Sequence, residues 1–340
     1  MLGNESVDLI VTSPPYPMIE MWDEMFSAQD QSVAESLAAG QGMDAFSRMH
    51  TLLDQVWAEC DRVLKKNGFV CINIGDATRT INDEFQLFSN HTRIINAFLM
   101  MGYCVLPDIH WHKPSNSPNK FMGSGMYPAG AYVTYEHEYI LVFRKGGKRV
   151  FKGKEKELRQ KSAFFWEERN VWFSDLWEIK GTGQTIASRK GRDRNASFPL
   201  EIPYRLVNMY SAEGDTVLDP FAGLGTTGIA CMLSNRNSVC VDVDRDIAEL
   251  AVDNMNISVS DANEYIRNRI KRHLRFISDL PTDKKEACYT NRQHGFKVKT
   301  KQEMDIAIDL LKGVEKTSDG YTCDYIKYDD LKEPEQLTLL

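Results

Sequence analysis

Several features are missing from this 340-residue chain, and each absence excludes a class of protein. No apolar run approaches the roughly 20 residues that a membrane-spanning helix needs, and the amino-terminal residues do not follow a signal-peptide pattern. The seven cysteines form no Cys-x-x-Cys pair, which indicates reduced thiols rather than a disulfide framework or a zinc site. We therefore expect a cytoplasmic protein with no metal and no membrane partner.

The chain also lacks an overall positive charge, since its net charge is −7. Positive charge is concentrated locally instead. The interval from Arg144 to Lys161 holds nine Lys or Arg residues against two Glu, and the interval from Arg189 to Arg194 holds four more cations. A third basic cluster runs from Arg267 to Arg275. Because the first two clusters lie close together along the chain, they favour a surface that faces phosphate groups.

The hydrophobic pattern alternates between buried strands and amphipathic helices, which is typical of an α/β fold. We divide the chain at residues 1–145, 146–195, 196–275 and 276–340. The second part is charged and aromatic without a sustained period, and we interpret it as an inserted subdomain whose aromatic residues form a small local core. We expect residues 27–42 to form a mobile loop and residues 303–313 to form a helix.

One loop has the pattern of a nucleotide-binding turn. Gly223, Gly225 and Gly228 follow the apolar strand Thr216–Leu218, and Asp242 stands 19 residues after the first glycine, at the end of the next strand. Glycines let the backbone turn tightly and approach a ligand, and the later acid can accept hydrogen bonds from ribose hydroxyls. A phosphate-binding loop of the Gly-Lys-Ser/Thr type is excluded, because no such triplet follows the turn.

The residues flanking these glycines favour a cationic ligand over a dinucleotide. Asp219 directly precedes the turn, where its charge would repel a pyrophosphate but attract the amino-acid group of S-adenosylmethionine. Phe221 offers an aromatic face that suits a sulfonium. A nicotinamide oxidoreductase is an alternative interpretation of the same glycines, and Asp219 is the residue that argues against it.

A second loop has the composition of an amine-binding site. Ser13, Pro14, Pro15 and Tyr16 follow the buried strand Val7–Val11. The two prolines carry no N–H donors and leave carbonyl acceptors exposed. Ser13 adds a hydroxyl acceptor, and the Tyr16 ring can lie against a flat heterocycle. Hydrogen bonds from an exocyclic amine to the Ser13 hydroxyl and the Pro14 carbonyl would aim the nitrogen lone pair at a methyl donor held in line.

With both loops in this order, the sequence resembles the DNA amino-methyltransferases that use S-adenosylmethionine, in their permuted beta group. The intermediate stretches Leu64–Gly68, Trp111–Pro114 and Glu136–Phe143, and the pair Phe198-Pro199, fall in the order that this family shows. The resemblance covers about residues 5–255. It implies a Rossmann-like, mostly parallel sheet with permuted motif order and an inserted target-recognition region.

The resemblance also implies roles for individual residues. The amine site would be formed by Ser13, Pro14, Pro15 and Tyr16, and the cofactor would be held by Phe198, Asp219, Phe221, Gly223, Gly225, Thr226 and Asp242. In this family a serine at the first loop position is typical of cytosine-N4 transfer, and an aspartate of adenine-N6 transfer. Cytosine-C5 transfer usually needs a Pro-Cys pair, which this sequence lacks.

The sequence departs from the family pattern before its first strand, where relatives usually have another strand and an acidic turn. Either a neighbouring strand of the cofactor half is missing, or the tail supplies it through Tyr325–Asp330.

The partner that these motifs predict is double-stranded DNA, with the target base extruded from the duplex. We expect the DNA contacts to come from the basic clusters, namely Lys148, Arg149, Arg189, Lys190, Arg192 and Arg194. A cognate restriction endonuclease, a homodimer and a location on the bacterial nucleoid are further expectations.

We thus predict a site-specific cytosine-N4 DNA methyltransferase. An adenine-N6 methyltransferase is the first alternative, and a catalytically silent nucleic-acid-binding protein is the second. Retention of Ser13, Tyr16 and Asp219 together with the glycines argues against the silent protein.

Overall fold

The computed structural model describes residues 2–113, 122–181, 186–187, 193–194 and 198–328. The helices in these ranges are α1 (Asp23–Gln29), α2 (Gln31–Ala38), α3 (Gly42–Val63), α4 (Asn90–Met100), α5 (Lys154–Lys161), α6 (Trp166–Trp172), α7 (Glu201–Tyr210), α8 (Thr226–Met232), α9 (Arg245–Asn254), α10 (Val259–Ser278) and α11 (Thr282–Glu286). The strands are β1 (Val7–Thr12), β2 (Leu64–Ile74), β3 (Ala77–Ile81), β4 (Glu84–Phe88), β5 (Cys104–His112), β6 (Met122–Gly123), β7 (Ala131–Tyr132), β8 (His137–Arg144), β9 (Leu176–Glu178), β10 (Ile186–Ala187), β11 (Asp193–Arg194), β12 (Thr216–Asp219), β13 (Asn237–Cys240), β14 (Tyr289–Thr290), β15 (Lys297–Val298), β16 (Asp309–Lys316) and β17 (Tyr321–Lys327).

A central seven-stranded sheet organises the molecule in the order β13-β12-β1-β2-β8-β5-β9. Strand β1 pairs in parallel with β12 on one side and β2 on the other, and β8 is antiparallel to both of its neighbours. The predicted α/β fold with a mostly parallel, Rossmann-like sheet is confirmed. The first strand of the chain therefore lies beside a strand that follows it by some 200 residues, as the permuted order of the motifs requires.

Helices cover both faces of the sheet because successive strand residues point to opposite faces. Leu9 and Val11 of β1 belong to one apolar cluster together with α7, α8 and α10. Val7 and Ile10 belong to the other cluster, together with α3 and α4. Helix α3 buries one side because its apolar residues recur at helical spacing, from Ala45 and Met49 to Leu53 and Trp57.

Two expectations about secondary structure were wrong, and one of two alternatives for the tail is eliminated. Residues 27–42 contain the end of α1 and all of α2, which begins at an Asp30 side-chain cap, so this segment is not a loop. Residues 303–313 lead into β16, which pairs with β17 rather than forming a helix. Because β17 pairs with β16 in a separate two-stranded sheet, Tyr325 does not extend the central sheet.

The described part of the interval 146–195 packs against the main fold, and its buried aromatic residues do not form the small local core that we expected. Strand β9 pairs in parallel with β5 at the edge of the central sheet, and Phe165, Trp172 and Trp177 are buried in the main apolar cluster. Helix α6 is joined to α10 by a buried ion pair, in which Arg269 Nε and Nη2 donate to the two carboxylate oxygens of Glu168 at 2.7 and 2.8 Å. A strand of three residues between charged stretches has no periodicity for sequence analysis to detect.

None of the helices in the described ranges is long and apolar enough to cross a membrane. Across the same residues, no group of three His, Cys, Asp or Glu side chains is arranged to hold a metal ion.

Candidate active site

Both motif loops lie at the carboxyl edge of the central sheet, where β1 and β12 end side by side. Leu9 pairs with Val217 and Ile10 with Leu218, so Thr12 and Asp219 lie at the neighbouring ends of adjacent strands. Ligands bind at this edge in open α/β sheets, because the loops that leave parallel strands converge there.

Asp219 connects the two loops through its buried carboxylate. One oxygen accepts hydrogen bonds from the Thr12 hydroxyl at 2.6 Å and the Phe221 amide at 3.1 Å, and the other accepts from the Thr227 hydroxyl at 2.6 Å. Burial raises the pKa of this carboxyl to about 6, although the three hydrogen bonds favour the ionised form. Asp219 therefore carries a charge at neutral pH and fixes the loop that contains the glycines.

The glycine loop depends on backbone conformations that side chains rarely adopt. Gly223 and Gly225 have φ values of 51° and 76°. A Cβ atom on Gly225 would also lie 3.2 Å from the Ala251 carbonyl oxygen, so α9 can pack closely only against a glycine. Asp242 accepts a hydrogen bond from the Gly223 amide at 3.0 Å, which holds the turn against the end of β13.

A cavity of about 830 Å³ lies between the two loops. Its size falls within the range of small-molecule sites, about 300–1,000 Å³. The lining includes the predicted amine-site and cofactor residues Ser13, Pro14, Pro15, Tyr16, Phe198, Asp219, Phe221, Gly223, Thr226 and Asp242. Gly225 does not line the cavity but shapes the turn above α8. Ten of the eleven predicted residues are thus brought together around one space.

The amine-site loop is held by a hydrogen-bond network that centres on Tyr16. Its hydroxyl lies 3.1 Å from the Ser13 hydroxyl, donates to Glu138 at 2.9 Å and accepts from Asn73 at 2.8 Å. Burial and the neighbouring Glu138 carboxylate raise the pKa of Tyr16 well above its usual value, so the phenol stays protonated. A Cβ atom on Gly75 would lie 2.9 Å from Tyr16 Cε2, which shows that one edge of the ring packs on bare backbone.

A family model described as a DNA methylase matches residues 7–253, which span both loops of this cavity. The chain belongs to the N6/N4 DNA methylase family. This match confirms the resemblance to S-adenosylmethionine-dependent DNA amino-methyltransferases that the two loops indicate.

Two curated type II methyltransferases are similar to this protein over most of its length. The type II methyltransferase M.MthZI of Methanothermobacter thermautotrophicus is 48% identical over 310 residues, which cover 90% of this chain and 86% of the relative. The type II methyltransferase M.MjaI of Methanocaldococcus jannaschii is 49% identical over 271 residues, which cover 75% and 87%.

The crystal structure of the Thermus thermophilus protein TTHA0409, complexed with S-adenosyl-L-methionine, has a similar fold. It superposes with a TM-score of 0.58 at 30% identity, over 75% of this chain and 87% of that chain.

Three polar residues of the site were missed by the sequence analysis of this DNA methylase. Asn73 and Glu138 reach the cavity from β2 and β8, which are neighbours in the sheet but 65 residues apart in the chain, and Asn73 donates to Glu138 at 2.7 Å. Lys113 pairs with Glu138 from the end of β5, and its ammonium lies 4.4 Å from the Trp111 ring centre. The sequence did contain a signal for Asn73, because it is the one amide residue in the apolar run Phe69–Ile74. Burying a polar side chain in a core strand is costly without a hydrogen-bond partner, so its presence there indicates a specific role.

The predicted DNA contacts divide into two groups. Arg189, Lys190 and Arg192 lie outside the described residues, as does the side chain of Arg194. Lys148 and Arg149 are described, and the structure does not place them near the cavity. Arg149 donates to both carboxylate oxygens of Asp215, at 2.6 and 3.0 Å, just before β12 begins. This is the opposite end of the sheet from the active site, so we no longer assign Lys148 and Arg149 to target recognition.

The pKa of Asp219 predicts how binding of the family's cofactor depends on pH. The cationic amino-acid group favours the ionised carboxylate, so affinity for S-adenosylmethionine should be constant above the pKa of about 6 and fall towards ten-fold per pH unit below it. Isothermal titration calorimetry between pH 5 and 8 measures this profile. The control is Asp219→Asn, which keeps the shape of the side chain and should bind weakly with no inflection near pH 6. A wild-type affinity that does not change across this range would contradict an ionised Asp219 in cofactor binding.

Proposed function

We propose that the chain is a site-specific DNA methyltransferase that moves the methyl group of S-adenosylmethionine to the N4 amine of cytosine in duplex DNA. The observation that carries the proposal is the Ser13–Tyr16 pair, which lines the same cavity as the Asp219 loop. A hydroxyl acceptor next to a cofactor site suits a neutral amine, which needs positioning more than it needs a strong base.

The residues present fit the cofactor, which supplies a methyl group on a sulfonium sulfur. Asp219 offers a buried carboxylate to the amino-acid end, and Phe221 packs edge-on against Trp57, with ring centres 5.9 Å apart, while still lining the cavity. Asp242 lies at the end of β13, where it can accept hydrogen bonds from ribose hydroxyls. Phe198 closes the cavity from the segment before α7.

The amine needs acceptors for its two hydrogens, and the cavity offers two in addition to the Pro14 carbonyl. The Ser13 hydroxyl is one. The Asn73 side-chain oxygen is a second candidate, because it is buried and has no hydrogen-bond partner among the described residues. A buried acceptor without a partner costs about 1–3 kcal/mol, and an amine hydrogen would recover part of that free energy when the base enters.

The hydrogen-bond network also provides a route for the proton that the nitrogen loses. After the N–CH3 bond forms and the S–CH3 bond breaks, the proton passes from nitrogen to the Ser13 oxygen as the Ser13 proton moves to Tyr16. The Tyr16 proton then moves to Glu138, 2.9 Å away. The Lys113 ammonium compensates the Glu138 charge before transfer and is itself a donor. Ser13 contacts the amine in this scheme, whereas Glu138 acts through Tyr16.

Cytosine is favoured over adenine by Lys113 as well as by Ser13. Lys113 is a cationic donor that lines the cavity, and it suits the carbonyl oxygen that cytosine has and adenine lacks. Ser13 stands where the family resemblance associates serine with cytosine. Adenine-N6 transfer is the alternative, because the same acceptors would bind its amine.

A paired base cannot reach this cavity, so the proposal includes extrusion of the target nucleotide from the duplex. We propose that Arg189, Lys190, Arg192 and Arg194 contact the DNA near the target. Since the curated relatives are type II methyltransferases, we also propose a cognate restriction endonuclease as partner and the cytoplasm, at the nucleoid, as location. The homodimer stays a prediction.

Nucleoside mass spectrometry tests the product directly. DNA of varied sequence is incubated with the protein and S-adenosylmethionine that carries an isotopic methyl label, then digested to nucleosides. We expect the label in N4-methylcytosine, and none with Asp219→Ala, which should bind the cofactor poorly. Label in N6-methyladenine would replace the proposal with the alternative, and unlabelled DNA throughout would favour the silent binding protein.

Two variants of Tyr16 distinguish the contribution of its hydroxyl to the transfer rate from that of its ring. Tyr16→Phe removes the link between Ser13 and Glu138 and should lower kcat by about 10-fold to 100-fold, which corresponds to roughly 1.4–2.7 kcal/mol. Tyr16→Ala also removes the stacking face and should lower kcat further. Radiolabelled methyl transfer at saturating substrate measures both rates, and calorimetry should show unchanged cofactor affinity. A wild-type rate in Tyr16→Phe would eliminate the proton route.

A further inference from the structure

A second cavity, larger than the active site, opens at the amino ends of the strands. Its volume is about 1160 Å³, and we call it the basic groove. The groove is lined by the first residues of β2, by the segment between β8 and α5 and by α5 itself, by α6, by the end of α7, and by residues 300–305. Asp8, near the start of β1, lines the groove, whereas Ser13 lines the active site. Asp8 and Ser13 are five residues apart along an extended strand, which corresponds to about 16 Å.

The groove is strongly positive although the chain is acidic overall. Nine cationic residues line it against three carboxylates, and the cations are Lys65, Lys66, Arg144, Lys148, Arg149, Lys156, Arg159, Arg169 and Lys301. Lys65 is paired with Asp8 and Arg149 with Asp215. The other seven have no carboxylate within ion-pair distance in the ranges that the structure describes. Positive charge that the protein does not neutralise attracts an anionic ligand.

Aromatic side chains alternate with these cations. The aromatic residues that line the groove are Phe69, Phe151, Phe164, Trp166 and Tyr210, and Trp166 is 41% exposed. The centre of the Phe151 ring lies close to two guanidinium groups, 4.6 Å from that of Arg149 and 4.7 Å from that of Arg159. Flat apolar faces beside cations suit a ligand that has both planar rings and negative charges.

We propose that the basic groove binds an unpaired DNA strand, separately from the duplex whose base enters the active site. The groove exceeds the usual size of a small-molecule pocket, about 300–1,000 Å³, which favours a stretch of polymer over one nucleotide. A duplex would meet the cations at the rim but could not bring its stacked bases to the aromatic lining. A single strand offers phosphates to the cations and bases to the rings, which is how proteins bind single strands without sequence preference.

Charge-neutralising variants test the phosphate contacts. Lys66→Gln combined with Lys156→Gln removes two exposed cations of the groove, and the matched control, Lys284→Gln with Lys312→Gln, removes two exposed lysines elsewhere. Fluorescence anisotropy with a labelled oligothymidylate measures affinity over a salt series. We expect the groove variant to bind at least five-fold more weakly and to reduce the slope of log affinity against log salt by about 1.4, while the control keeps both values.

Trp166→Ala tests the stacking contact. It should weaken oligothymidylate binding about five-fold or more without changing the salt slope, since it removes a ring and no charge. Thermal melting verifies that each variant is folded, and the lysine pair tests the proposal independently of Trp166.

Three results would overturn the proposal. These are an absence of oligothymidylate binding by the wild-type protein, equal behaviour of the groove and control variants, and an equal loss of affinity for a duplex of the same length. Methylation of duplex DNA is measured in the same variants and should stay at the wild-type rate. The two assays are independent. If the protein does not methylate DNA, the oligothymidylate measurement still tests the groove, and if the groove does not bind, the methylation assay still tests the proposed function.

Discussion

The buried carboxylate of Asp219 is the constraint on which the active site depends. A charged group in that position must be satisfied by donors, and the three it finds come from both halves of the permuted chain. Thr12 ends the strand that leads to the amine loop, whereas Thr227 and the Phe221 amide belong to the cofactor loop. The same hydrogen bonds that compensate burial therefore fix the position of one substrate loop relative to the other.

A second aspartate has the corresponding role at the other end of these strands. Asp8 accepts hydrogen bonds from Lys65 and from the Thr216 amide, and so joins the starts of β1, β2 and β12. Strands far apart in the chain are thus connected at both ends of the sheet. The two ends then differ in surroundings, since the carboxyl end holds the cavity with Glu138, Asp219 and Asp242 and the amino end holds the basic groove.

Much of the site could be predicted because its two loops are local in sequence. Each consists of a buried strand followed directly by residues with unusual backbone or hydrogen-bonding properties, such as Pro14 or Gly223. Glu138 and Lys113 could not be predicted in the same way. Glu138 reaches Tyr16, and Lys113 reaches Glu138, only because β2, β8 and β5 are neighbours in the sheet. Strand β9 was missed for the same reason. Its three residues form a strand because they pair with β5, and their hydrophobic pattern alone does not predict one. The misassigned loop at residues 27–42 is polar, and its short helices form largely through Asp30 capping and contacts with α3.

The rate of methyl transfer in Thr12→Val tests most directly whether the Asp219 connection aligns the two loops. Valine keeps nearly the same shape as threonine and removes only the hydrogen bond to Asp219. Single-turnover transfer is measured by rapid quench at saturating DNA and S-adenosylmethionine. We expect a rate at least ten-fold slower than that of the wild type, with cofactor affinity reduced far less, because Thr227 and the Phe221 amide still hold the carboxylate. A wild-type transfer rate would contradict this expectation, since the loops would then be aligned without the bond between them.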